Sequence, residues 1–156
     1  MSVSVGDQAP NFTLYDHTAA PFTLSEQSDP VVLLFFPGAF TSACTNELTT
    51  VSTDYPAFTT EGITVGISTD SVPVLDRFRE AHGITISLLS DHDASVSAAY
   101  GAKYDNNFTH MNLDRVAKRA AFVIDTDGIV RYAEVLDDAT GFPNFEALQD
   151  VLKGDL

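Results

Sequence analysis

The sequence predicts an α/β domain in which a mixed central sheet is flanked by helices and preceded by a β-hairpin. Three observations carry that expectation. The runs Val31 to Phe36, Ile63 to Ser68 and Ala120 to Ile124 are nearly unbroken in apolar residues, as strands covered on both faces are. Apolar residues at helical spacing fill the stretches that follow the first two runs. An Asp127-Gly128 pair then sits between AAFVI and IVRYAEV, where two antiparallel strands need a tight turn.

Taken in order, the chain first reverses between Asn11-Phe12-Thr13-Leu14 and Pro21-Phe22-Thr23-Leu24, which gives the N-terminal hairpin. The strand VVLLFF ends at Pro37 and Gly38. Cys44, Leu48, Val51 and Tyr55 then recur at spacings of four, three and four, one stripe of a helix that starts near Thr41 and is ended or kinked by Pro56. After the strand ITVGIS, Ser71 caps a second helix with Pro73 in its first turn. Val74, Phe78 and Ala81 form its apolar set, and Gly83 lies past its end. A short strand follows. Asp93 caps a shorter helix through Val96 and Tyr100 closed by Gly101, and Phe145, Leu148 and Leu152 mark a terminal helix closed by Gly154. The segment from Lys103 to Lys118 takes no assignment. Strands joined through helices run parallel while the late hairpin is antiparallel. The result is the layout of a thioredoxin-like fold, expected as one domain over residues 1–156.

Composition narrows the partners. Twenty-two acids against eight Lys and Arg leave a formal charge of −14, which repels phosphate backbones and anionic lipid. No nucleic acid and no membrane are expected as partners. The longest apolar run is six residues, and the start MSVSVGDQAP lacks a basic and apolar leader, so the chain reads as cytoplasmic. Sixteen of the acids are aspartates, scattered along the chain, which fits a hydrated surface adapted to high salt and a halophilic source. The Asn-Phe-Thr tripeptides at 11 and 107 are read as chance matches to the glycosylation pattern.

The single cysteine excludes an intrachain disulfide and a multi-cysteine metal cage. Placed in the first turn of a helix, Cys44 meets unpaired amide hydrogens and the positive end of the dipole, which favour a thiolate. The bland alternative is a buried cysteine acting as a small hydrophobe. No residues group with metal-ligand spacing and no glycine-rich phosphate loop is present, so neither metal nor cofactor is expected.

Pro37, Thr41 and Cys44 form P-x-x-x-T-x-x-C at the strand-to-helix junction, and here the sequence resembles the peroxiredoxin family. The resemblance extends through VGDQAPNFTL, FFPGAFTSACTNEL, VGISTDS, LLSDHDASVSAAYG and RAAFVIDTDGIVRY. It implies a thiol peroxidase of the one-cysteine kind, in which Cys44 attacks peroxide, Thr41 orients the substrate and Pro37 shields the thiolate. Arg119 completes the site, and Glu47 falls where many members carry an acid that helps to hold that arginine. It further implies peroxide as substrate, an external thiol as reductant (a small thiol or a thioredoxin- or glutaredoxin-like protein), and a homodimer.

The residues supply separate reasons for these roles. A free thiol with a pKa near 8.5 is only about 3% ionised at pH 7, so ionisation alone yields at most about thirty-fold. The larger share must come from positioning the O–O bond and receiving the charge on the departing oxygen, tasks suited to Thr41 and Arg119. Each residue also has a plainer reading: Thr41 as an N-cap, Pro37 as a strand stop, Arg119 as a surface ion pair, Glu47 as a helix-start acid, and Phe35, Phe36 and Phe40 as core or pocket wall. Two other functions compete. A cysteine hydrolase would need His17, His82, His92 or His110 beside Cys44, and a binding module would carry an inert thiol.

Overall fold

A computed structural model describes residues 3–105 and 113–154. The N-terminal reversal is β1 (Thr13–Asp16) paired antiparallel with β2 (Pro21–Thr23). There follow β3 (Val31–Phe35), α1 (Ser42–Asp54), α2 (Ala57–Thr60), β4 (Ile63–Ser68), α3 (Val72–His82), β5 (Ser87–Ser90) and α4 (Ser95–Ala99). The chain ends with β6 (Ala120–Ile124), β7 (Val130–Val135) and α5 (Phe145–Lys153). The seven strands form one sheet in the order β2-β1-β5-β4-β3-β6-β7. β3, β4 and β5 are parallel, as their helical crossovers require, whereas β6 runs antiparallel to β3 and turns back into β7.

Alternation along β3 divides the core. Leu33 and Phe35 join Val65, Ile67, Leu89, Phe122 and Tyr100 on one face. Val32, Leu34 and Phe36 join Cys44, Leu48, Leu75, Phe78 and Leu148 on the other. Helices α1, α3 and α5 therefore cover the second face, while α4 and the N-terminal segment cover the first. All five residues of β3 and of β6 are buried, the reason their sequences read as unbroken apolar runs. Gly128 adopts φ +81 in the hairpin and Gly83 φ +62 after α3, both left-handed as their turns demand.

Two expectations need correction. The buried residues of α3 are Leu75 and Phe78, while Val74 and Ala81 face solvent. The start of α4 is capped by the buried Asp91, whose carboxylate accepts from the amides of Val96 (3.1 Å) and Ser97 (2.7 Å) and from the Ser97 hydroxyl (2.6 Å). Asp93 accepts from the Ser95 amide at 3.0 Å and stays exposed. Phe35 and Phe36 are core, but Phe40 is 52% exposed.

The segment without an assignment is pinned at its ends. Lys103 bridges Ala117, the Tyr104 amide donates to the Val116 carbonyl and the Lys118 amide to the Ala102 carbonyl, which brings Arg119 to the start of β6. His110 and the Asn107 tripeptide lie outside the described residues.

Candidate active site

Where β3 runs out, Phe36 still bonds across to β4 through its amide and the Ile67 carbonyl, 2.9 Å, and the chain then crosses the end of the sheet as Pro37–Thr41. Thr41 occupies the N-cap position of α1 with extended φ/ψ, yet its hydroxyl makes no cap bond and donates instead to the Gly38 carbonyl at 2.9 Å. It is exposed, and Pro37 is half-buried. Cys44 is the third residue of α1 and 1% exposed, at the head of the stripe continued by Leu48 and Val51. The first-turn amides of α1 have no partner within the helix, so the sulfur stands where the helix presents unpaired donors.

Arg119 immediately precedes β6, and the register pairs its neighbour Ala120 with Phe35 at the last position of β3. That pairing aims its side chain at α1. Its guanidinium is fully buried and uses three partners. Nη2 donates to the Cys44 sulfur at 3.2 Å and to the Ala139 carbonyl at 2.7 Å, Nε reaches the same carbonyl at 3.3 Å, and Nη1 binds Glu47 Oε1 in a short ion pair. Glu47 follows Cys44 by three residues, one turn along α1, so both face the guanidinium.

The electrostatics follow from burial. Removal from water pushes the Glu47 carboxyl up to about 7, with the attraction of Arg119 holding it from going further. Its Oε2 has no hydrogen-bond partner among the described residues. Burial also works against the charge on Arg119, but Glu47 and the Cys44 sulfur outweigh it and keep its pKa above the ordinary arginine value. Arginine has donors and no acceptor, so it can receive negative charge beside it and cannot serve as a base.

The Ala139 carbonyl is the contribution that sequence reading missed. It belongs to the loop between β7 and α5, where Asp138 Oδ1 accepts from the Thr140 amide (2.9 Å) and hydroxyl (2.7 Å) and so fixes the peptide between them. The loop is anchored to the site from its other end too, since the Leu136 amide donates to the Arg119 carbonyl at 2.9 Å. Asp138 and Thr140 announce a turn in the sequence, but nothing there ties the turn to Arg119.

The structure thus brings together Cys44, Glu47 and Arg119, with Thr41 and Pro37 at the entrance to the same helix. The described histidines are elsewhere. His92 is exposed with Nδ1 3.1 Å from the Thr69 carbonyl, His17 faces the Leu88 amide at 3.4 Å, and His82 meets the rings of Phe40 and Phe78 edge-on. None of these three makes a hydrogen bond with the sulfur, the arrangement a cysteine hydrolase requires.

The model of the AhpC/TSA family matches residues 5–133. Peroxiredoxin Bcp of Escherichia coli strain K12 is 33% identical over 138 residues, covering 87% of this chain and 86% of that protein. A selenocysteine-containing peroxiredoxin of Peptoclostridium acidaminophilum is 35% identical over 161 residues, 96% of this chain and 76% of its own. Among solved structures, peroxidoxin BcpB from Mycobacterium tuberculosis superposes with a TM-score of 0.83 at 32% identity over 97% of both chains.

Proposed function

Given that the chain belongs to the AhpC/TSA family of peroxiredoxins and is a thiol peroxidase, we propose that Cys44 is the sulfur that attacks peroxide and that Arg119 and Thr41 govern the attack. One observation carries the assignment: the Arg119 guanidinium donates to the Cys44 sulfur at 3.2 Å while two other partners hold it. In the proposed step the thiolate attacks one oxygen of a hydroperoxide. An S–O bond forms, the O–O bond breaks, and its electron pair leaves on the second oxygen, which takes a proton to become water or an alcohol. Sulfur is oxidised by two electrons to the sulfenic acid.

Charge moves from sulfur to the departing oxygen during this step, and donors fixed beforehand receive it without having to reorganise. Arg119 and the first-turn amides of α1 have that role. Thr41, its hydroxyl proton engaged by the Gly38 carbonyl, offers its lone pairs to a peroxide O–H and so orients the substrate. Pro37 shields the sulfur from water, and Glu47 holds Arg119. No second cysteine exists to resolve the sulfenic acid. An external thiol condenses with it, releasing water and leaving a mixed disulfide, and a second thiol releases Cys44. The proposed setting is the cytoplasm of a salt-adapted cell, supported by the excess of acid over base.

Stopped-flow consumption of hydrogen peroxide by the reduced protein, with a sulfenate trap, tests the reading. The wild type is expected to be fast, Cys44→Ser silent, and Arg119→Ala slower by about one to three orders of magnitude with its fold intact. A wild-type rate close to that of free cysteine would overturn it.

A further inference from the structure

The segment that carries Thr41 has a conformation it does not hold by itself. Phe40, the residue before Thr41, sits at φ +67, a left-handed value that a bulky side chain adopts only when its surroundings impose it. Its ring leans on Phe78 at 5.1 Å and on His82 at 5.9 Å, both on α3, which accounts for one restraint. The other lies one residue earlier. The Ala39 amide donates at 2.8 Å to Oδ2 of Asp70, 31 positions away in the connection between β4 and α3.

Asp70 is itself fixed. The same Oδ2 accepts from the hydroxyl of the buried Ser68 at 2.7 Å, the Asp70 amide faces that hydroxyl at 3.2 Å, and the Asp70 carbonyl accepts from the Ser90 hydroxyl at 2.6 Å. The ends of β4 and β5 thus hold one half-buried carboxylate against the backbone of the loop that precedes α1. A bond from an amide to an ionised acceptor is among the stronger kinds. Cys44, Arg119 and Glu47 are absent from the hydrogen bonds that hold Asp70 and Ala39.

We propose that Asp70 is a positioning residue for the peroxidase reaction: by anchoring the Ala39 amide it sets the Pro37–Thr41 loop so that the Thr41 hydroxyl is placed for the peroxide, without acting on the sulfur. This rests on the reading of Cys44 as the peroxidatic sulfur. Its consequence is selective. Attack on peroxide, which needs Thr41 in place, depends on Asp70, whereas attack on an electrophile that makes no use of Thr41 does not.

The test compares reaction of reduced protein with hydrogen peroxide and with iodoacetamide. Asp70→Ala is expected to lose about 10- to 100-fold on peroxide, the scale on which misplaced groups act, while its alkylation rate stays within about two-fold of wild type. Asp70→Asn, which keeps an acceptor oxygen facing Ala39, should recover to within about five-fold of wild type on peroxide. Should Asp70→Ala fail to fold, Ser68→Ala, a nearly isosteric change that frees the carboxylate from one restraint, is expected to lose about two- to five-fold on peroxide alone. Parallel losses on both electrophiles, or no loss on peroxide, overturn the role of Asp70. A slow wild type would instead sink the reading of Cys44 on which it depends.

Discussion

Glu47 is the residue on which solvation and function meet most directly. A carboxyl with no exposure, one of whose oxygens has no partner among the described residues, is raised to about 7, while the same group in the unfolded chain titrates near the ordinary 4.5. Between those values the folded protein holds a proton that the unfolded chain has released. Stability from this group is therefore present below about 4.5 and lost as pH rises toward 7. Urea unfolding of wild type and Glu47→Gln across pH 4 to 8 measures it. The free-energy difference, wild type minus variant, is expected to fall by on the order of 3 kcal/mol over that window and to be flat on either side. A difference that rises with pH would show that Arg119 keeps Glu47 ionised throughout. Among the site residues, Cys44, Thr41 and Pro37 are legible because they lie within eight positions of one another at a strand-to-helix junction. Glu47 and Arg119, 72 positions apart, are not joined by anything local, and their pairing exists only once β6 has docked beside β3. The Ala139 carbonyl is a backbone group, so no side-chain pattern could have revealed it.

At the scale of elements, the strands were legible and two helix details were not. β3 and β6 lie inside the sheet with both faces covered, so their composition alone marks them. In α3 the overlapping sets Val74–Phe78–Ala81 and Leu75–Phe78 both have helical spacing, and only packing against the sheet selects Leu75. Before α4, Asp93 stands three positions ahead of Val96, the spacing of an ordinary cap, whereas Asp91 stands five ahead. The left-handed turn at Ala94, φ +63, swings the chain so that Asp91 reaches the Val96 and Ser97 amides. Removing the side chains separates the two. Asp91→Ala is expected to destabilise the protein by about 2 kcal/mol, since two helix amides and the Ser97 hydroxyl lose their acceptor, and Asp93→Ala by no more than about 0.5 kcal/mol. Chemical denaturation of the two variants checks this, and equal costs would return the cap to Asp93.

Over the whole molecule, charge repulsion is the dominant long-range term. Three ion pairs join the described residues, of which Lys118–Asp137 and Arg131–Asp125 reach the surface, against a formal charge of −14 on the chain. Salt at 1 M shortens the screening length to about 3 Å, which removes far more repulsion than attraction. The melting temperature is therefore expected to rise with potassium chloride, by about 2 to 4 °C for each kcal/mol of repulsion relieved. Calorimetric scans from dilute to molar salt measure it, and a flat or falling curve would deny the acidic surface that role.

The acid and guanidinium lodged beneath the sulfur also bear on how durable the domain is. Charges withdrawn from water recover only part of their hydration through each other, and apolar side chains of similar volume in such places leave proteins unchanged or about 1 to 4 kcal/mol more resistant to unfolding. A chain bearing Glu47→Leu and Arg119→Met should then outlast the natural one on heating while reducing peroxide at least about ten-fold more slowly. Reactivity and toughness pull this interior in opposite directions, and the natural sequence has settled on the side of reactivity.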